Sequence, residues 1–227
     1  MEEKRLIQSY GRKRARGLSD AQKTNLESLY NLYGISVPEV ETNPKDFFLN
    51  DYKQMYCEIG FGNGEHLIQI AKNHPNIAFI GCEPFENGVA ATLAKIHEQK
   101  LSNVRIYKGD VRVLLDKIED SSFDCFYVLF PDPWHKKRHH KRRLLSEDFI
   151  KTLQRKAKSE GQLVIATDCE DYMQQIQETL KTLNLSYEYD LNTLQEKPDW
   201  FLNTKYESKA ISQNRPCYYQ KIAVNTK

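Results

Sequence analysis

From Met55 onward, short and almost wholly apolar segments alternate with amphipathic helical stripes, and this alternation constrains the fold more than any other feature. Met55 to Phe61 predicts a strand that runs into glycines. His66 to Asn73 places Leu67, Ile68 and Ala71 on one helical face. Ile77 to Cys82 predicts a second strand, Val89, Leu93 and Ile96 a second helix, and Val104 to Tyr107 a third strand. Phe123 to Phe130 follows as a fourth. Leu145, Phe149, Leu153 and Ala157 then mark a helix, Gln162 to Thr167 a fifth strand, and Met173, Ile176, Leu180 and Leu183 another helix. Ser186 to Leu191 and Cys217 to Val224 alternate in polarity and are expected to finish the sheet as an antiparallel pair. Apolar strands separated by helices imply a parallel sheet covered on both faces. Such sheets bind ligands beyond the carboxyl ends of their strands, near the point where strand order reverses. The residues just after each strand are therefore the candidate site.

Ahead of this region, residues 1–17 read as a flexible basic arm. Ser19 is placed to cap a helix over Asp20 to Tyr33, with Leu26, Leu29 and Leu32 apolar and Gly34 ending it. Residues 18–54 thus form an N-terminal helix and connecting segment, and residues 55–227 the main α/β domain. The 227-residue chain has a net charge of +2. Residues 1–16 hold +4 of it and residues 134–143 hold +6, which leaves −8 for the remainder. Two concentrated basic stretches on an acidic body suit a polyanionic partner. The five cysteines, Cys57, Cys82, Cys125, Cys169 and Cys217, form no CxxC pair and read as reduced thiols. No apolar run approaches a membrane span. The N-terminus lacks the apolar core of a secretory signal, and a cytoplasmic location is expected.

The first strand ends in Glu58-Ile59-Gly60-Phe61-Gly62-Asn63-Gly64-Glu65. Glycines at alternate positions permit a tight turn and the close approach of a ligand. The spacing is GxGxG, not the GxGxxG of a pyrophosphate site, and the preceding acid, Glu58, favours a cationic ligand. Glu83 ends the second strand, about 20 residues past the glycines, where a carboxylate can accept from ribose hydroxyls. Asp110 ends the third, where it can accept from an adenine amino group. Each acid alone reads more readily as a helix N-cap than as a ligand contact, since each precedes a predicted helix. Together with the glycines they outline a pocket for S-adenosylmethionine, an adenosine bearing a positive sulfonium.

The fourth strand ends in Phe130-Pro131-Asp132-Pro133-Trp134, and two prolines stiffen the chain around Asp132. His135-Lys136-Lys137-Arg138-His139-His140-Lys141-Arg142-Arg143 follows at once. Cations here would neutralise phosphates and supply affinity but little base specificity. Trp134 could stack on a base or pack on the sheet edge. The histidines read as phosphate contacts, since no carboxylate or cysteine is interleaved to make a metal site. Asp168 ends the fifth strand. Thr204-Lys205-Tyr206-Glu207 reads, by itself, as a polar loop.

The set EIGFGNGE, CEP, GD, FPDPWHKKRHHKRR, TD and TKYE resembles the bacterial tRNA (guanine-N7-)-methyltransferases over roughly residues 55–225. The N-terminal region is similar too, and FPDPW with its basic cluster is the most specific element. The resemblance implies an α/β fold of the Rossmann-like class I S-adenosylmethionine-dependent methyltransferase type, a mostly parallel seven-stranded sheet with helices on both faces. It implies methyl transfer to N7 of guanine at position 46 in the variable loop of tRNA. Carried over by position, Glu58, Gly60, Gly62, Gly64, Glu83, Asp110 and Asp132 would bind the cofactor, with Asp132 also the catalytic acid at the reaction centre. Lys136, Asp168, Thr204, Lys205, Tyr206 and Glu207 would contact the substrate. Arg138, His139, His140, Lys141, Arg142 and Arg143 would meet RNA. No metal or membrane partner is implied, and the protein would be a monomer or a homodimer. The family pattern continues with Arg-Gly where this chain has Lys209-Ala210, so its substrate loop is expected to be shaped differently. Three alternatives stay open at this point: methylation of an exocyclic base amine, a non-catalytic RNA-binding subunit, and a nicotinamide oxidoreductase.

Overall fold

The computed structural model describes residues 17–185, 193–198, 201–202 and 204–225. The expected arm lies almost wholly outside them, as does the expected strand Ser186 to Leu191. The described strands are β1 (Gln54–Ile59), β2 (Ile77–Cys82), β3 (Val104–Tyr107), β4 (Phe123–Leu129), β5 (Ala157–Thr167) and β6 (Tyr218–Ala223). They form one sheet in the order β3-β2-β1-β4-β5-β6. The pairs β1–β2, β1–β4, β2–β3 and β4–β5 are parallel, and β6 joins β5 antiparallel. Chain order therefore reverses between β1 and β4, and the ends of these two strands frame the switch point at which such sheets bind ligands.

The helices are α1 (Asp20–Thr24), α2 (Tyr30–Tyr33), α3 (Glu65–Asn73), α4 (Glu86–Glu98), α5 (Val111–Leu115), α6 (Glu147–Lys156), α7 (Glu170–Thr182) and α8 (Lys205–Ser212). Helices α3 and α4 pack Leu67, Ala71, Val89, Leu93 and Ile96 with Phe79 and Ile106 of the sheet. Across the sheet, Phe149, Leu153, Met173, Ile176 and Leu180 from α6 and α7 close over Phe126, Val128, Leu163 and Ile165. Burying each of the larger side chains among these contributes about 1.5–3 kcal/mol.

Three elements differ from expectation. The helix predicted over Asp20 to Tyr33 is split by a π-helical stretch, Asn25–Leu29, between α1 and α2. The fifth strand begins at Ala157 instead of Gln162. Ala157 caps α6 by donating its N–H to Leu153 O, then pairs with Phe123, and a register irregularity lets the strand resume at Gln162 opposite Cys125. The expected polar loop at Thr204 is the start of α8. Its capping box is reciprocal: Glu207 N–H donates to Thr204 Oγ1 (3.0 Å), and Thr204 N–H donates to Glu207 Oε2 (3.3 Å).

Candidate active site

A cavity of about 450 Å³ opens at the switch point, bounded by residues from the ends of β1, β2, β3 and β4. Gly60, Gly62, Glu83, Asp110 and Asp132, five of the expected cofactor residues, line it. The other two lie behind: Glu58 beneath the glycine turn in a smaller adjoining cavity, and Gly64 at the N-cap of α3.

The turn itself is built from backbone. Gly60, Gly62 and Gly64 have φ of +78°, +57° and +74°, a region that L side chains rarely adopt. Glu83 ties the turn to the second strand. Its Oε2 accepts from Gly62 N–H (2.9 Å), and its Oε1 accepts from Phe85 N–H (2.8 Å). Burial raises the Glu83 carboxyl above its ordinary value, the two N–H donors oppose that rise, and the Asp132 and Glu58 carboxylates add to it. An incoming positive charge would relieve this clustering of acids. Asp110 caps α5 through Arg112 N–H (3.1 Å) and is also gripped by the Arg112 side chain, Nε to Oδ1 at 2.9 Å and Nη2 to Oδ2 at 2.6 Å.

These features fit an adenosine-type ligand with a cationic sulfur. Carboxylates line the cavity, and the space where a Gly60 side chain would stand is open. Gly88 was not anticipated, yet a Cβ there would lie 2.1 Å from the Gly62 carbonyl oxygen. Helix α4 can approach the glycine turn only because position 88 is bare. Gly88→Ala is expected to displace that turn and weaken S-adenosylmethionine binding by about tenfold or more, in line with the 1–3 kcal/mol cost of overpacking. Calorimetric titration checks this, and unchanged affinity would contradict it.

Asp132 is exposed at the cavity mouth. Phe130 and Trp134, which flank its prolines, both take left-handed backbone angles, with φ of +51° and +48°. Trp134 lines the cavity with the Arg142 guanidinium 5.0 Å above its ring and the His139 ring at its edge. Lys137 to Arg142 form a short 3-10 helix. Lys136 at its N-cap and Lys137, Arg138 and Lys141 on it are exposed, while His139, His140 and Arg142 are half-buried. His139 is held below its ordinary pKa by desolvation and then by the cations of Arg142, Arg138, Lys136 and Lys141. Arg143 departs from the outward arrangement expected of this stretch. It is buried, donates to Pro133 O (2.8 Å), Gln175 Oε1 (2.8 Å) and Asp171, and lies over Tyr172. It anchors the basic segment to α7. Among the described residues, no group of three or more His, Cys, Asp or Glu could hold a metal ion.

The expected substrate residues also divide. Tyr206 lines both cavities, lies against Gly62 and stacks on Phe130 with ring centroids 6.5 Å apart. Lys205 and Thr204 line the smaller cavity. Asp168 is held by Arg215. Glu207 is 1% exposed, with its carboxylate accepting from Tyr219 Oη (2.5 Å) and Lys197 Nζ (2.9 Å). It lies in the first turn of α8 and is turned away from solvent.

Residues 52–220 match the family described as "Putative methyltransferase". The chain is 35% identical over 219 residues to a tRNA (guanine-N(7)-)-methyltransferase of Caulobacter sp. (strain K31), covering 96% of each chain. It is 37% identical over 216 residues to the enzyme of that name from Paracoccus denitrificans (strain Pd 1222), covering 92% of this chain and 91% of that one. Among solved structures, a 30S ribosomal A1408 methyltransferase from an uncultured bacterium superposes with a TM-score of 0.55 at 20% identity, over 84% of this chain and 97% of that one. Phosphoethanolamine N-methyltransferase 2 of Haemonchus contortus, solved with S-adenosyl-L-methionine, gives 0.52 at 14% identity, over 92% of this chain and 61% of that one. These last two likenesses establish the class I methyltransferase fold. Identity above one third across nearly the full length of curated relatives establishes more, and the chain belongs to the tRNA (guanine-N(7)-)-methyltransferase family.

Proposed function

We propose that this protein transfers a methyl group from S-adenosylmethionine to N7 of guanine 46 in the variable loop of tRNA, in the cytoplasm. The observation that carries the reading is the junction of a carboxylate-lined cavity with a basic, solvent-facing segment, with Asp132 standing between them. S-adenosylmethionine, when bound, supplies a methyl group on a cationic sulfur. Glu83 accepts from ribose hydroxyls, Asp110 accepts from an adenine amino group, and Gly60 and Gly62 admit the ligand against the backbone; that all four line one cavity supports these roles. Guanine N7 presents an in-plane lone pair and carries no proton, so the reaction needs no general base. Orientation then supplies much of the rate. Asp132 stabilises the positive charge that passes onto the base. Lys136, Asp168, Thr204, Lys205, Tyr206 and Glu207 contact the incoming guanine or position the residues that do; Thr204, Lys205 and Tyr206 lining the smaller cavity supports this. Lys137, Arg138 and Lys141 meet phosphates. No helix among the described residues is long and apolar enough to cross a membrane.

The test is methyl transfer from labelled S-adenosylmethionine to an unmodified tRNA transcript with guanine at position 46, beside the same transcript with adenine there. Label in the first alone is the expected result. Label in both would move the target elsewhere in the RNA.

A further inference from the structure

Behind the glycine turn Glu58 forms a buried pair with His66, a residue to which the proposed chemistry gives no part. His66 stands in the first turn of α3, and its Nδ1 lies 2.8 Å from Glu58 Oε2. Both side chains are 4% exposed. The imidazole is fixed on two sides by aromatic rings: Tyr127 of β4 with its centroid 5.0 Å away, and Phe201 stacked at 6.3 Å with an interplanar angle of 27°. Glu58 and His66 together line the small cavity that adjoins the large one through Gly60, Phe130 and Tyr206.

An ionised carboxylate offers only acceptors, so opposite a charged Glu58 the 2.8 Å contact has His66 Nδ1–H as its donor. A buried charge is costly unless hydrogen bonds satisfy it, and a donor on a rigid helix also fixes where the carboxylate points. A helix N-terminus and two flanking rings hold this donor in one orientation. An unpinned Glu58 would be free to turn away from the glycine turn.

We infer that His66 is a positioning residue that holds the Glu58 carboxylate beneath the glycine turn, where it faces the positive end of the bound cofactor. The inference rests on the proposed role of Glu58 at the cofactor site. It gives α3 a task beyond supporting the sheet: the helix delivers a fixed donor to a cofactor-site acid that is buried behind the glycine turn.

The test compares the full-length protein with Glu58→Gln, His66→Leu and His66→Asn. The readouts are cofactor affinity by calorimetry, KM for tRNA and thermal midpoint. Asparagine sets an N–H close to the place of Nδ1–H, whereas leucine fills the space without a donor. His66→Leu is expected to weaken cofactor binding about tenfold, the scale of a lost hydrogen bond to a charged group. KM for tRNA should stay within about twofold, because neither residue belongs to the basic segment that meets phosphates. His66→Asn should restore affinity to within about threefold of the parent. A purely structural role predicts that loss of affinity follows loss of thermal midpoint in both variants, with no rescue by asparagine. Wild-type affinity in His66→Leu alongside weakened binding in Glu58→Gln would overturn the inference and leave the site standing. Undiminished binding in Glu58→Gln would overturn the role of Glu58 itself. If the leucine variant fails to fold, asparagine decides, and tenfold weaker binding in a stably folded His66→Asn would refute positioning by this hydrogen bond.

Discussion

Asp132→Asn is expected to lower kcat by about 10²–10³-fold, the usual cost of removing a group that meets charge developing at a reaction centre. Affinity for S-adenosylmethionine should change by only a few fold, because Glu83, Asp110 and the glycine turn remain. The substitution keeps the shape, exchanges one acceptor oxygen for an NH2 donor and removes the charge. Geometry gives Asp132 this weight. It stands at the exposed mouth of the cavity, and the residues on either side of its prolines, Phe130 and Trp134, both have positive φ. Such conformations cost on the order of 1–3 kcal/mol each in non-glycine residues and persist only where the surroundings impose them. Here Phe130 is pinned by its N–H to Ala166 O (2.7 Å) and by the Tyr206 ring, and Trp134 by the Arg142 guanidinium. Near-normal turnover in Asp132→Asn, with normal cofactor affinity, would show that the carboxylate charge is not what the reaction uses.

The triple substitution of Lys137, Arg138 and Lys141 by alanine should raise KM for tRNA by roughly 30–100-fold at moderate salt. The dependence of log affinity on log salt should become shallower by about 2–3, since each of three lost phosphate contacts removes somewhat less than one released counterion. These three side chains are exposed and project from a short helix anchored elsewhere, so the fold should be unaffected. Arg143 marks the contrast. Its guanidinium is committed to Pro133, Gln175 and Asp171, and Arg143→Ala should lower thermal stability and weaken RNA binding only indirectly. A salt slope unchanged in the triple variant would place the RNA contact on another surface.

The strand ends were legible because they rest on local chemistry. Apolar runs of strand length, glycines at alternate positions and acids at successive strand ends located Gly60, Gly62, Glu83, Asp110 and Asp132, and all five converge on one cavity. What stayed hidden depends on contacts between distant segments. Gly88 looks like an ordinary helical glycine until its approach to the Gly62 carbonyl is seen. Nothing in the spacing of Glu58 and His66 says that they touch. Arg143 sits in a run of cations, and only tertiary packing turns it inward. The start of α8 is a different kind of omission. Thr204 and Glu207 stand three residues apart in the capping-box pattern, a local signal for a helix start that the polar character of the segment obscured. That helix also explains why Glu207 faces Tyr219 and Lys197: the capping box turns its carboxylate back toward Thr204 and away from solvent.

The most direct test of the central claim is chemical mapping of the product. A transcript methylated by the protein is reduced with borohydride and treated with aniline, which cleaves RNA at 7-methylguanosine. A single new cleavage at position 46, absent without S-adenosylmethionine and absent from the transcript carrying adenine there, is the result this account predicts. Methyl label incorporated into the RNA without any cleavage would contradict N7 as the acceptor, and cleavage at another guanine would contradict the site.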